Sequence, residues 1–398
     1  MDKLTEYSAS RIHQVDPGFK RYLWEKINWN NRLIAITGAR GVGKTTLLLQ
    51  HIREHLYHDP DEVLFVSMDD LFFTKTGLVE FADAFVKRGG KYLFLDEIHK
   101  YPNWSREVKN AYDYFSDLQI VITGSSALDI YKGAGDLSRR AVLYQMQGMS
   151  FREFIAYKYQ HKFPVISLEE LLANPAKFTG PVLQKIKPIK LFEEYLAYGY
   201  YPFFIEDEET YHGRLRQTVN HVLETDLPST EKIDYHAVHQ LRRLLAVIAE
   251  LVPFKPNIMK LSQQLDLSRE TLLKYLYLLD RAGLLLLLQA NTQGTSRMNK
   301  PEKVYLENTN LLFALADSEV QAGTMREIFL FNQLAEANPV SYSGQGDFFV
   351  RNKYTIEAGG KHKTRKQIAG IPDAYVAADH IEHAWQNKIP LWLFGFLY

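Results

Sequence analysis

The 398-residue sequence predicts an α/β chain, with a doubly wound parallel sheet first and smaller helical and α/β parts behind it. Three observations carry this reading. Short apolar runs, five in all, alternate with helix-period stretches between residues 31 and 145. The first run leads into Gly38-Ala39-Arg40-Gly41-Val42-Gly43-Lys44-Thr45, a glycine loop set between strand and helix. The third run ends in an acid pair, Asp96-Glu97.

Residues 1–30 form a lead-in whose helical spacing is broken by Pro17-Gly18, so a helix is expected over 19–27, packed under the first strand. The run 33–37 is the first strand, and 46–52 read as the helix after the loop. Strand, glycine loop and helix form the context in which G-x-x-x-x-G-K-[ST] cradles phosphate. Glycines at 38, 41 and 43 allow a tight turn whose N–H groups converge on phosphate oxygens, and the helix start adds its positive dipole end. Gly38, Ala39, Arg40, Gly41, Val42, Gly43, Lys44, Thr45 and Thr46 are therefore the expected nucleotide contacts. Lys44 reaches the β- and γ-phosphates of a nucleoside triphosphate, and the Thr45 hydroxyl ligates Mg²⁺.

A second strand is expected at 63–67, and a helix at 78–86 closed by Gly89-Gly90. The third strand, 92–95, delivers Asp96 and Glu97 at the sheet's C-terminal edge, where ligands sit in open α/β sheets. Asp96 is expected in the Mg²⁺ shell, and Glu97 as the group that orients and polarises the attacking water. Solvated strand-end acids are the alternative, and the glycine loop upstream weighs against it. After a helix at 104–115, the fourth strand, 119–123, ends in Gly124-Ser125-Ser126. A polar residue at this tip suits a γ-phosphate sensor: Ser125 first, Thr123 second, with Ser126 equally suited to be an N-cap. Arg139 and Arg140 precede the fifth strand, 141–144, and are expected close to the ligand edge, where one contacts phosphate in cis or from a neighbouring subunit. A solvated turn is the other reading of that pair.

The order of loop, acid pair, sensor and arginine resembles the AAA and STAND side of the P-loop NTPases, in which a strand lies between the loop strand and the acid-pair strand. Gly41-Val42-Gly43-Lys44-Thr45-Thr46, Phe94-Leu95-Asp96-Glu97-Ile98-His99, Thr123-Gly124-Ser125-Ser126 and Met149-Ser150-Phe151-Arg152-Glu153-Phe154 together resemble a bacterial and archaeal AAA-family ATPase group. Its members pair an origin-recognition-like ATPase with a C-terminal domain of unknown function. The resemblance implies binding of ATP and ADP, a winged helix and a degenerate nuclease-like C-terminal domain.

Composition bounds the partners. Formal net charge is zero, so any nucleic-acid surface is local. The absence of cysteine excludes disulfides, thiolate zinc sites and cysteine nucleophiles. The first six residues are polar and lack a signal-peptide core, and the longest leucine run, 284–288, is too short to span a bilayer. No membrane partner and a cytoplasmic location are expected.

Residues 147–234 read as a helical lid behind the ATPase core of 1–146. Ser150 and Glu153 fit a capping box, helices are expected at 168–172 and 191–196, and Gly199-Tyr200-Tyr201-Pro202 is an aromatic turn. Its tyrosines suit either the frame of an adenine ring or, more commonly, a core. Residues 235–310 have the order of a winged helix-turn-helix: helices at 237–251 and 259–265, a Ser268-capped helix at 269–282 ended by Gly283, then strands 284–288 and 303–306 around a polar loop. The second of the paired helices carries Arg269, Glu270, Lys274, Asp280 and Arg281, so positive charge does not dominate it, and the wing carries Arg297, Lys300 and Lys303 against Glu302; the module fits either DNA or a protein partner.

Residues 311–398 suggest a helix at 326–335, strands at 341–343, 347–350 and 354–357, and a buried closing strand at 391–398. Glu327, Asp347 and Glu357 resemble the carboxylates of PD-(D/E)xK nucleases, which bind a divalent metal while a lysine steadies the attacking water. Here Ala358-Gly359 follows Glu357, so the usual lysine is missing, with Lys361 or Lys363 as substitutes. The basic run 361–366 suits a phosphate backbone. The whole reads as a P-loop NTPase with helical lid, winged helix-turn-helix and small α/β nuclease-like domain, acting as a Mg²⁺-dependent ATPase or ATP switch. A nucleotide-sensing binding module with little turnover and an ATP-gated nuclease are the alternatives.

Overall fold

The computed structural model describes residues 2–124, 137, 139–231, 233–252, 255–291, 300–316, 320–342 and 344–398. The chain forms two compact units, one of Met1–Gly148 with Thr225–Ile233, the other of Met149–Glu224 with Asp234–Tyr398. The predicted Ser125, Ser126 and Arg297 lie outside the described residues.

The first unit is built on strands β1 (Leu33–Thr37), β2 (Val63–Ser67), β3 (Tyr92–Asp96), β4 (Gln119–Gly124) and β5 (Val142–Gln145). They form one parallel sheet in the order β2-β3-β4-β1-β5, so β4 lies between the loop strand β1 and the acid-pair strand β3. The four strands β1 to β4 are almost continuously buried, which is what helices on both faces of a parallel sheet require. The helices Leu78–Val86 and Trp104–Tyr114 form where the spacing predicts them. The lead-in differs from expectation. Its main helix is Asp2–Gln14, and the stretch 19–27 yields only the single turn Leu23–Lys26. Leu4 and Ile12 of the first helix enter the core, and the Ser8 hydroxyl accepts from the Phe65 N–H at 3.0 Å.

Register corrects the placement of the arginine pair. Ile34 stands beside Val142, and Thr37 beside both Gly124 and Gln145. Parallel strands enter a sheet from the same edge. Arg139 and Arg140, just before β5, therefore lie at the edge opposite the tips of β1, β3 and β4. Arg140 is there ion-paired with Asp113, Nε to Oδ1 2.9 Å, and Arg139 is exposed. The expectation that the pair stands at the ligand edge of the sheet is corrected by this register.

The second unit begins with the helix Phe151–Tyr159, capped by the predicted box in which Ser150 and Glu153 exchange hydrogen bonds. Its aromatic core includes Phe151, Phe154, Phe192, Tyr195, Phe329 and Phe396, with Phe192 and Phe329 edge-to-face at 4.7 Å. Helices Tyr235–Leu251, Ile258–Leu265 and Arg269–Arg281 follow in the predicted order, with Asp266 at φ +54° in the turn and Ser268 accepting from the Thr271 N–H. The antiparallel pair β6 (Leu285–Leu288) and β7 (Lys303–Leu306) comes next. A mixed sheet then joins β8 (Val340–Ser341), β9 (Phe348–Val350), β10 (Tyr354–Gly359), β11 (Ala374–Ala378) and β12 (Lys388–Pro390) in sequence order. The expected closing strand at 391–398 is instead a 3₁₀ turn, Leu391–Phe396, wholly buried against the core. Tyr200, Tyr201 and Tyr211 are buried core residues of this unit, each with its hydroxyl hydrogen-bonded within it.

Candidate nucleotide site

The glycine loop is shaped by close approach and by positive φ. A Cβ on Gly38 would lie 2.1 Å from the Met146 carbonyl oxygen, a contact no side chain tolerates. Gly43, at φ +101°, turns the chain into the helix Lys44–His51. Lys44 is buried, and its ammonium donates to the carbonyls of Gly38 at 2.7 Å and Ala39 at 3.0 Å, so it lies inside the loop. Burial lowers its pKa, while the charges of Glu97 and Asp96 oppose that shift.

Asp96, at the end of β3, joins three elements. It accepts from the Thr45 hydroxyl at 2.8 Å and from the Thr123 hydroxyl at the end of β4. Thr123 also accepts from the Glu97 N–H at 3.3 Å. The second-choice sensor thus reaches the acid pair directly. A hydroxyl and a carboxylate side by side, next to a buried ammonium, fit the donor set that holds Mg²⁺ together with substrate phosphates. Glu97 sits at φ +52°, an uncommon backbone state for a non-glycine, and its Oε2 is 3.4 Å from His99 Nε2.

Two residues of this site escape motif reasoning. Arg21, from the lead-in, is buried and its guanidinium donates to the carbonyls of Val42, Gln147 (2.8 Å) and Gly148 (2.8 Å). It ties the phosphate loop to the segment after β5. Asp226 comes from the stretch Thr225–Ile233 and is buried next to His99, the ring that Glu97 also approaches. Its Oδ1 accepts from Lys100 Nζ at 2.6 Å and is 3.8 Å from His99 Nε2, while its Oδ2 is 3.6 Å from Arg40 Nη1. Burial pushes the Asp226 carboxyl up, but hydrogen bonds from His99 and Lys100 and the Lys100 charge hold it well below the usual carboxylate range.

The acids of the C-terminal part do meet, but around lysines. Lys303 Nζ is 2.9 Å from Glu327 Oε2 and 3.1 Å from Asp347 Oδ1. The Tyr305 hydroxyl donates to Glu327 at 2.8 Å, and the Ala358 N–H to Asp347 at 3.0 Å. Glu357 pairs with Lys363 at 2.6 Å, and its pKa is raised by burial first and then by the Asp347 charge. The expected metal site at Glu327, Asp347 and Glu357 is corrected accordingly: Lys303 already bridges two of the carboxylates. Among the described residues, no group of three or more His, Cys, Asp or Glu is arranged to hold a metal ion. Lys303, expected on the wing as a candidate contact for DNA or a protein partner, is buried in this cluster. No helix of the described residues is long and apolar enough to cross a membrane.

Residues 30–155 match the family model of an AAA domain, and residues 189–322 match a domain of unknown function. An uncharacterised protein of Methanocaldococcus jannaschii, MJ1637, is 26% identical over 376 residues, 86% of this chain and 78% of its own length. Mitochondrial escape protein 2 of Eremothecium gossypii is 34% identical over 91 residues, which span 19% of this chain and 11% of that protein. Among solved structures, PCH-2 of C. elegans matches 44% of this chain and 47% of its own, at 19% identity and a TM-score of 0.25. AMPPCP-bound DnaA from Aquifex aeolicus matches 69% of this chain and 87% of its own, at 13% identity and a TM-score of 0.24. The sheet order and the glycine loop are those of a P-loop NTPase fold, and the stretch that carries them, residues 30–155, is the part that matches the AAA domain model.

Proposed function

We propose that the protein is a Mg²⁺-dependent ATPase of the AAA type, cytoplasmic, in which nucleotide state acts as a switch. The observation that carries this is the junction at Asp96, where the loop hydroxyl of Thr45 and the strand-end hydroxyl of Thr123 meet one carboxylate beside buried Lys44. Thr45 and Asp96 are the residues that would hold Mg²⁺, which neutralises charge on the phosphate oxygens when bound. Lys44 binds the β- and γ-phosphates. Glu97 accepts the proton of the attacking water, and Thr123 orients the Asp96 and Glu97 pair. ATP binding measured by titration calorimetry with Mg²⁺ present tests the assignment. Lys44→Ala is expected to weaken binding at least tenfold, because the phosphates lose their principal side-chain cation. Unchanged affinity would remove the loop from the account.

A nucleic-acid partner is favoured by one feature of the second unit. A groove of about 690 Å³ is lined by three cations, Lys255, Arg269 and Lys300, against one acid, Glu302, with Asn257 and Ser262 among the rest. We propose residues 235–310 as a winged helix that uses this basic groove, and 311–398 as a nuclease-like domain retained without metal chemistry. Phosphate contacts release counterions, so binding of duplex DNA is expected to fall steeply with salt. Replacing Arg269 and Lys300 by alanine is expected to lower that salt slope by about two. Absence of binding in dilute buffer would favour a protein partner.

A further inference from the structure

With Arg139 and Arg140 at the far edge of the sheet, the only arginine on the phosphate loop itself is Arg40. Its position divides the cations around Asp226 into two kinds. Lys100 holds Oδ1 at 2.6 Å, a full hydrogen bond. Arg40 Nη1 stands 3.6 Å from Oδ2, beyond hydrogen-bond length, with 37% of its side chain exposed against 4% for Asp226. One cation is fixed, and the other is a long, loosely held side chain rooted in the loop that wraps phosphate. Arg40 is also near enough to Lys44 for its charge to bear on that ammonium, an effect that Asp226 opposes. Two like charges on one loop repel, and an anion placed between them relieves the repulsion of both. The terminal phosphate of a triphosphate held by Lys44 is such an anion. A diphosphate supplies none at that point.

The geometry points to Arg40 as a two-position residue, paired with Asp226 in the nucleotide-free and ADP states and turned onto the γ-phosphate when ATP is bound. Lys100 keeps Asp226 neutralised in both positions. The inference rests on the ATP reading above. In the hydrolytic step the water oxygen bonds to the γ-phosphorus as the bond to the β–γ bridging oxygen breaks. Glu97 takes the water proton, and ADP leaves with the electron pair of the broken bond. Arg40 neutralises charge on the transferring phosphoryl oxygens, the task that arginine performs in other phosphoryl transfers.

The test combines ATP and ADP affinities by titration with single-turnover ATP cleavage, on the full chain. Arg40→Ala is expected to leave ADP affinity within about threefold, to cut the preference for ATP over ADP at least tenfold, and to slow cleavage by roughly a hundredfold to a thousandfold. Arg40→Lys, which keeps the charge but loses the planar fork, is expected to fall between the two. Asp226→Asn removes the competing anion, so the ATP preference is expected to rise. Because Asp226 is buried, that variant is read only if its circular dichroism and melting match wild type, and Arg40→Ala decides alone otherwise. Equal losses for ADP and ATP, or cleavage unchanged in Arg40→Ala, overturn the inference while wild-type turnover leaves the ATP reading standing. A wild-type chain that binds no ATP removes both.

Discussion

Arg21 shows at the scale of one side chain how the phosphate loop is kept in shape. Its guanidinium satisfies three carbonyls, one of them Val42 within the loop. Arg21→Ala strands those acceptors, and hydrogen bonds to a charged group are each worth about 1.5–3 kcal/mol. The variant is expected to lose at least about 2 kcal/mol in urea unfolding and to bind nucleotide more weakly, since the loop loses a brace. Full stability would show that water replaces the guanidinium. Neither Arg21 nor Asp226 is legible in the sequence, because neither belongs to a spacing pattern. Arg21 reaches Gln147 across 126 residues, and Lys100 reaches Asp226 across the same separation. Asp96 and Thr123, by contrast, are legible because each sits at the tip of a buried run, and parallel pairing brings such tips together, while Lys44 and Thr45 are legible from the spacing of the glycine loop that follows β1. The same rule puts the residues just before β5, Arg139 and Arg140, at the opposite edge.

Elements follow the same logic of burial. Strands β1 to β4 stand where the apolar runs predict them, since a strand covered on both faces has to be apolar throughout. Apolar runs without flanking helices are ambiguous, and the 3₁₀ turn Leu391–Phe396 reads as a strand in the sequence because period and composition do not separate buried strand from buried helix. The strands β11, rich in alanine, and β12, three residues long, give no strand signal of their own. Between β7 and the helix Thr309–Leu315 the chain buries Glu307 among the Tyr200 hydroxyl and the Asn308 and Asn332 amides. Burial raises its pKa from 4.5 to about 7, with the Asp280 charge adding to the shift against the hydrogen bonds that oppose it. A folded-state pKa above the unfolded one means that the stability it contributes is complete below about 4.5 and is lost as pH rises through about 7. Wild type is therefore expected to lose on the order of 3 kcal/mol between pH 4.5 and 7.5 that Glu307→Gln does not lose. Urea titrations at several pH values measure this, and parallel pH profiles for the two proteins would contradict it.

The whole molecule is two compact units through which the chain passes more than once, since Thr225–Ile233 belongs with Met1–Gly148. A fragment ending at Gly148 therefore lacks Asp226, the anion that Lys100 and Arg40 share. Scanning calorimetry is expected to show this fragment melting below the corresponding transition of the full chain, and to show nucleotide raising that transition in the full chain. A ligand at a hundred times its Kd adds about 2.7 kcal/mol. A fragment as stable as the unit within the full chain would mean that the returning segment contributes nothing. Lys44, Asp96 and Glu97 are proposed as a site that cleaves ATP. Single-turnover cleavage of ATP with Mg²⁺ by wild type and Glu97→Gln tests it most directly. Wild type is expected to cleave, and Glu97→Gln to bind ATP with similar affinity yet cleave roughly a hundredfold to ten-thousandfold more slowly, because the amide keeps the shape and cannot take the water proton. Equal cleavage rates for the two proteins, or no cleavage by wild type, would contradict it.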